Sequence, residues 1–143
     1  MTVAVKRIYE EAARSDGARV LVDRLWPRGV SKERANLYAW FPSLAPTDLL
    51  RHWFHAHPQG WLVFQRRYLK ELVRPEAAQD LSELYRLAGK RKKVTLLFAA
   101  RDEEHNNAVV LKSLLDGMRK PPTGTGPAAA RGMRQRQARR AIG

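Results

Sequence analysis

The sequence contains no cysteine, which excludes disulfides, thiolate metal sites and thiol nucleophiles. It also lacks any long apolar run: no stretch approaches the roughly 18 apolar residues of a membrane-crossing helix. The opening segment, Met1-Thr2-Val3-Ala4-Val5-Lys6-Arg7, is too short an apolar run to read as a signal peptide. A cytoplasmic protein without membrane contact is the expectation. Gly124-Thr125-Gly126 lies in a linker, not between a strand and a helix, so it is no dinucleotide fingerprint. None of Ser15, Ser31, Ser43, Ser82 and Ser113 stands on a nucleophile elbow. No internal repeat is visible.

Charge is the first positive signal. The net charge is +13 over 143 residues, and it is unevenly spread. Residues 1–118 carry 20 Lys/Arg against 14 Asp/Glu, whereas residues 119–143 carry 7 Lys/Arg and no acid. Such a field attracts polyanions, or else simply keeps the chain soluble. Pro121-Pro122-Thr123-Gly124-Thr125-Gly126-Pro127 is a linker by composition. The chain thus divides into a body, residues 1–118, and a flexible, disordered basic tail, residues 119–143. Arg131, Arg134, Arg136, Arg139 and Arg140 stand there among Ala, Gln and Gly. Without aromatic interleaving, such an arm would hold nucleic-acid phosphates with no sequence preference and with strong salt dependence.

The body is long enough to bury a core without covalent staples. Alternation predicts a strand from Thr2 to Tyr9, and β-branched runs predict strands over Arg19–Asp23 and Val94–Ala100. The last is almost wholly apolar, so it should be covered on both faces. Ser31 should cap a brief helical turn, and Trp40-Phe41-Pro42 reads as an apolar loop. Thr47 should cap a helix through Phe54. Trp61, Phe64, Tyr68 and Leu72 share one face of the clearest helix. Pro75 should open another, closed by Gly89. Asp102 should cap a final helix, with Glu103 and Glu104 in its first turn and Ala108, Val109, Leu111 and Leu115 buried. Strands interleaved with helices predict an α/β fold: a small Rossmann-like layered domain, its sheet parallel or mixed and flanked by helices.

In open α/β sheets, ligands bind beyond the carboxyl ends of the strands. Two strands here lead into polar clusters, Asp23-Arg24-Leu25-Trp26-Pro27-Arg28-Gly29 and Arg101-Asp102-Glu103-Glu104-His105-Asn106-Asn107. If both strands run the same way, the clusters meet at one sheet edge. Arg24, Arg28 and Arg101 would then surround a pocket with Asp23, His105 and Asn106 close by. Guanidinium forks beside a helix N-terminus suit phosphate or carboxylate. Trp26 would stack on a base or sugar, or else cap the core. Asp23 and His105 are the candidates for acid–base chemistry, His105 being oriented by Asp23 or Asp102. The structural alternative is that Asp23 pairs with Arg24, Arg28 or Arg101 and ties the loops together. His52, His55 and His57 cluster on one helix, but no carboxylate stands at metal-ligand spacing beside them. No metal and no cofactor is expected.

The runs Val22-Asp23-Arg24-Leu25-Trp26-Pro27-Arg28-Gly29, Leu96-Leu97-Phe98-Ala99-Ala100-Arg101-Asp102 and His105-Asn106-Asn107-Ala108-Val109-Val110-Leu111 resemble the YeaO-like family, a domain of unknown function numbered 488. Val5-Lys6-Arg7-Ile8-Tyr9, Leu50-Arg51, Trp53-Phe54, Phe64, Tyr68 and Glu71-Leu72 fit the same pattern. The resemblance covers about residues 2–118. It implies a compact bacterial α/β domain of Rossmann-like layering and no assigned reaction. The family's signature maps onto Asp23, Arg24, Trp26, Pro27, Arg28, Gly29, Arg101, Asp102 and Asn106, while His55-Ala56-His57 departs from it. Three functional readings follow: a domain binding a small anionic ligand at Arg24, Arg28 and Arg101, a nucleic-acid-associated module using tail and body, or an interaction domain without a ligand. Whether any reaction is catalysed stays open at this point.

Overall fold

The computed structural model describes residues 1–118; the tail, with Arg131, Arg134, Arg136, Arg139 and Arg140, lies outside the described residues. Four parallel strands form one sheet in the order β1-β4-β2-β3. They are β1 (Thr2–Arg7), β2 (Ala18–Leu21), β3 (Ala39–Trp40) and β4 (Lys93–Phe98). Register pairs Val3 with Val94 across β1 and β4, and Val20 with Leu96 across β2 and β4. The sheet is therefore the parallel member of the two expected kinds, and the apolar β4 is one of its two inner strands.

Period-two alternation sorts the strand residues onto two faces. Val3, Val20, Val22, Val94, Leu96 and Phe98 pack into the main core. That core also takes the inner faces of four helices, α2 (Asp48–Ala56), α3 (Trp61–Leu72), α4 (Pro75–Lys90) and α5 (Asn107–Gly117). Leu21 and Leu97 point the other way, into a smaller cluster with Ile8, Val30, Ala35 and Leu37 under the short helix α1 (Lys32–Ala35). Both faces of β4 are covered, as its composition requires.

Local chemistry explains the element boundaries. Ser31 Oγ accepts from the Arg34 N–H at 3.1 Å, and Thr47 Oγ1 accepts from the Leu50 N–H at 3.2 Å. Each satisfies a donor that the first helical turn leaves unpaired. In α3, Phe64, Tyr68 and Leu72 are buried and Trp61 is half-buried. The Tyr68 hydroxyl donates to the Leu44 carbonyl, which gives the buried ring a partner for its polar end.

Three expectations are corrected. Trp40 is not loop: Ala39–Trp40 forms an edge strand beside Val20 and Leu21. Two residues are too few for alternation to show in sequence. The last helix begins at Asn107 and is capped by Asn106, not Asp102, so Glu103 and Glu104 precede its first turn. In that helix Ala108, Leu111 and Leu115 are buried as expected, but Val110 is buried where Val109 is half-buried.

A buried polar network anchors the sheet at its opposite end. Arg19, 2% exposed, donates from Nη1 to Asp16 Oδ2 at 2.5 Å and from Nε to the Ala35 carbonyl at 2.8 Å. Lys6 Nζ reaches Asp16 at 3.1 Å, and Thr95 Oγ1 donates to the Asp16 carbonyl at 2.6 Å. The Asp16 carboxyl is opposed by burial, but the Ala13 N–H, Lys6 and Arg19 outweigh that and hold its pKa below the ordinary value.

Candidate functional site at the carboxyl edge of the sheet

Because β2 and β4 are parallel neighbours, their exits open at one edge. The Val22 N–H donates to the Leu97 carbonyl at 3.2 Å. One residue on, a side chain continues the ladder: the Ala99 N–H donates to Asp23 Oδ2 at 2.9 Å. Asn107 Nδ2 donates to Asp23 Oδ1 at 3.2 Å and to the Val22 carbonyl at 2.8 Å. The two polar clusters do meet, and Asp23 with Asn107 is the joint between them.

This corrects the expected pairing of Asp23 with Arg24, Arg28 or Arg101. The main-chain N–H at a strand exit cannot swing into water, so an inward carboxylate is its available partner. A long arginine can stay hydrated instead. Burial raises the Asp23 pKa, while the Ala99 N–H, the Asn107 amide and the positive charge of Arg51 oppose the rise.

The three arginines part ways. Arg24 is half-buried, and its Nη2 donates to the carbonyls of Ala45 and Pro46 at 3.2 and 3.3 Å. It clamps the turn that leads into α2. Its Nε is buried with no partner among the described residues. Arg28 and Arg101 are exposed, and neither side chain has a hydrogen bond or ion pair among the described residues. Gly29 beside Arg28 has φ +74°, a left-handed conformation that glycine adopts without strain.

Trp26 faces the protein. Its ring meets Trp40 edge-on at 5.6 Å and its Nε1 donates to the Val30 carbonyl at 2.7 Å. Trp40 Nε1 in turn donates to the Asp23 carbonyl at 2.7 Å. The two indoles hold the 23–30 loop closed. Asn106 is also engaged: Oδ1 accepts from the Val109 N–H at 3.0 Å and Nδ2 donates to the Asp102 carbonyl at 2.9 Å.

Asp102 accepts from the Glu104 and His105 N–H groups at 2.9 and 3.0 Å, which lowers its pKa. Its other oxygen lies 3.6 Å from His105 Nδ1. The His105 ring stacks on Trp61 with centroids 4.6 Å apart. Of the two expected orienting acids, Asp102 is the one beside His105. Elsewhere, His57 stacks on Trp53 at 4.7 Å, and His52 and His55 are exposed. Among the described residues no group of three or more His, Asp or Glu is arranged to hold a metal, and no helix is long and apolar enough to cross a membrane.

Three residues at this edge escaped the sequence reading. Asn107 closes the second polar cluster, and only that membership signals it in the sequence. Arg7 leaves β1 and donates from Nε to the Ala100 carbonyl at 2.9 Å and from Nη2 to the Ala99 carbonyl at 3.1 Å. Arg51, on α2, contributes its charge to Asp23 from another element, and nothing local in sequence announces that. Chemically, the loops that leave β2 and β4 carry two exposed guanidiniums, Arg28 and Arg101, with no partner among the described residues. That arrangement can attract and orient an anion; its one buried carboxylate is engaged in holding the backbone.

Comparison with known proteins gives a consistent picture. A family model described as "Inactive DUF488-N3 subclade" matches residues 2–127. The protein named "Uncharacterized protein YeaO" from Escherichia coli (strain K12) is 39% identical over 115 residues, covering 80% of this chain and 97% of the relative. "Uncharacterized protein Rv3073c" from Mycobacterium tuberculosis (strain ATCC 25618 / H37Rv) is 41% identical over 115 residues, covering 80% of this chain and 94% of the relative. No solved structure gives a significant match.

Proposed function

The chain belongs to the YeaO-like DUF488 family, and from that premise we propose that it is a binding domain without turnover, holding a small phosphate- or carboxylate-bearing ligand at the carboxyl edge of its sheet. One observation carries the reading. Asp23 is satisfied by the Ala99 N–H and Asn107, so Arg28 and Arg101, at the exits of neighbouring strands, keep their guanidiniums for an external anion. Guanidinium forks match such anions bidentately. The matched subclade's own description, "inactive", agrees with an edge where Asp23 braces backbone and His105 is held between Trp61 and Asp102.

The test is a calorimetric titration of the full chain with inorganic phosphate and with a nucleoside monophosphate. Saturable binding that disappears in Arg28→Ala and Arg101→Ala, at unchanged melting temperature, supports the reading. Binding that survives both substitutions refutes it.

The charge of residues 119–143, 7 Lys/Arg and no acid, supports a second reading as a nucleic-acid arm. Anisotropy of labelled duplex DNA, with full chain and a 1–118 truncation, separates the two. Tail-driven binding falls steeply between about 50 and about 200 mM salt and vanishes with the truncation.

A further inference from the structure

We infer that the groove between α2 and α3 is a docking site for an acidic peptide segment carrying a large apolar side chain. This site is separate from the strand edge and does not rest on the anion-binding proposal. The groove is open to solvent and has a volume of about 700 Å³, within the ordinary range of ligand-binding clefts. Leu50 and Trp53 form its apolar floor, and Leu49, 84% exposed, is its lip. Arg67, Lys70 and Arg74 form the wall, all exposed and none with a side-chain hydrogen bond or ion pair among the described residues.

The carboxylate in the lining makes no ion pair with that wall. Glu71 turns inward and accepts from the Thr47 N–H at 2.8 Å and the Thr47 hydroxyl at 2.6 Å. The Arg67 guanidinium lies over the Trp53 ring, 4.7 Å from its centroid. Stacking pins the plane of the cation and leaves its N–H edges for a partner. An apolar floor beneath a cationic wall matches one kind of occupant: a segment whose large apolar residue fills the floor while neighbouring carboxylates meet the arginines.

Net charge disfavours the other proteinaceous occupants. A second copy brings a net charge of +13, and residues 119–143 bring no acid, so both meet the wall with like charge. A nucleic acid would satisfy the wall but leave Leu49, 84% exposed, against water.

The test uses the full chain and two labelled peptides of about 15 residues, roughly four helical turns. One is rich in Glu with Leu and Trp at i, i+4 spacing; the other has Ser in place of those apolar residues. Fluorescence anisotropy is read for the wild type, for Leu49→Ser, for Lys70→Glu/Arg74→Glu, and for Arg86→Glu/Lys90→Glu. The last makes the same charge change on the exposed side of α4. Circular dichroism confirms that each variant is folded. The expected result is saturable binding of the apolar–acidic peptide, weakened about tenfold or more by the groove reversal and by Leu49→Ser, and little changed by the α4 reversal. Equal loss in both reversals, equal binding of the Ser-substituted peptide, or no binding overturns the inference. So does a groove reversal that abolishes binding of duplex DNA and spares the peptide, which would make this face a nucleic-acid surface.

Discussion

Asp23 Oδ2 accepts a hydrogen bond from the Ala99 N–H at 2.9 Å, joining residues 76 positions apart in the chain. This bond replaces the ladder contact that β2 and β4 would otherwise lose where they diverge. It makes a residue that reads as catalytic in sequence into the brace of the edge that carries the candidate site.

Removing that brace has a direction. Asp23→Ala leaves the Ala99 N–H and the Asn107 amide short of an acceptor in a largely buried place. The expected cost is about 2–3 kcal/mol, a drop of roughly 8–15 °C in melting temperature by circular dichroism. The pH effect follows from burial. The folded pKa of Asp23 is raised above 3.8, so the folded state holds this proton more tightly than the unfolded chain. The proton-linked part of its contribution is full below 3.8 and is lost as pH rises through the folded pKa, while the hydrogen bonds to the Ala99 N–H and Asn107 remain. Asp23→Ala removes that dependence, which urea titrations across the acidic range would read.

Asp16 behaves in the opposite sense. Its folded pKa lies below 3.8, so the stability it contributes is present above 3.8 and is lost as pH falls through the folded value. Asp16→Asn should flatten that acid limb. Arg19→Ala, which strips a buried carboxylate of its guanidinium, should cost about 3–5 kcal/mol at neutral pH. Denaturant unfolding of both variants checks the pair.

Asn106 separates a helix cap from a ligand contact. Both of its polar side-chain atoms are engaged at the start of α5. Asn106→Ala should cost about 1–2 kcal/mol, and Asn106→Ser clearly less. Phosphate affinity, measured by calorimetry on the folded variants, should not change in either.

Two glycines with positive φ should respond unequally to alanine. A Cβ on Gly17, φ +66°, would lie 2.3 Å from the Lys93 carbonyl oxygen, a backbone atom that cannot step aside. Gly17→Ala should cost about 3 kcal/mol or more, since it adds a clash to strain. Around Gly29, φ +74°, a Cβ meets nothing within 4 Å. Gly29→Ala should cost only about 1 kcal/mol. Paired thermal melts distinguish them.

The sequence by itself determined the α/β class, most of the elements and the pair of segments that meet at the site. Periodicity and capping are local signals. Phe64, Tyr68 and Leu72 declare their shared face, Thr47 declares a helix start, and the almost wholly apolar run at Val94–Phe98 declares a strand covered on both sides. What it could not determine was the fate of each charge. Arg24, Arg28 and Arg101 look alike in sequence, yet Arg24 clamps two carbonyls while the other two stay uncommitted. Asp23 has arginines beside it in the chain and takes Ala99 and Asn107 as partners. The two-residue strand at Trp40, the strand order and the α2–α3 groove likewise came only from the tertiary structure. A hydrogen bond depends on distances of a few tenths of an ångström between groups far apart in the chain, and only the packed sheet brings those groups together.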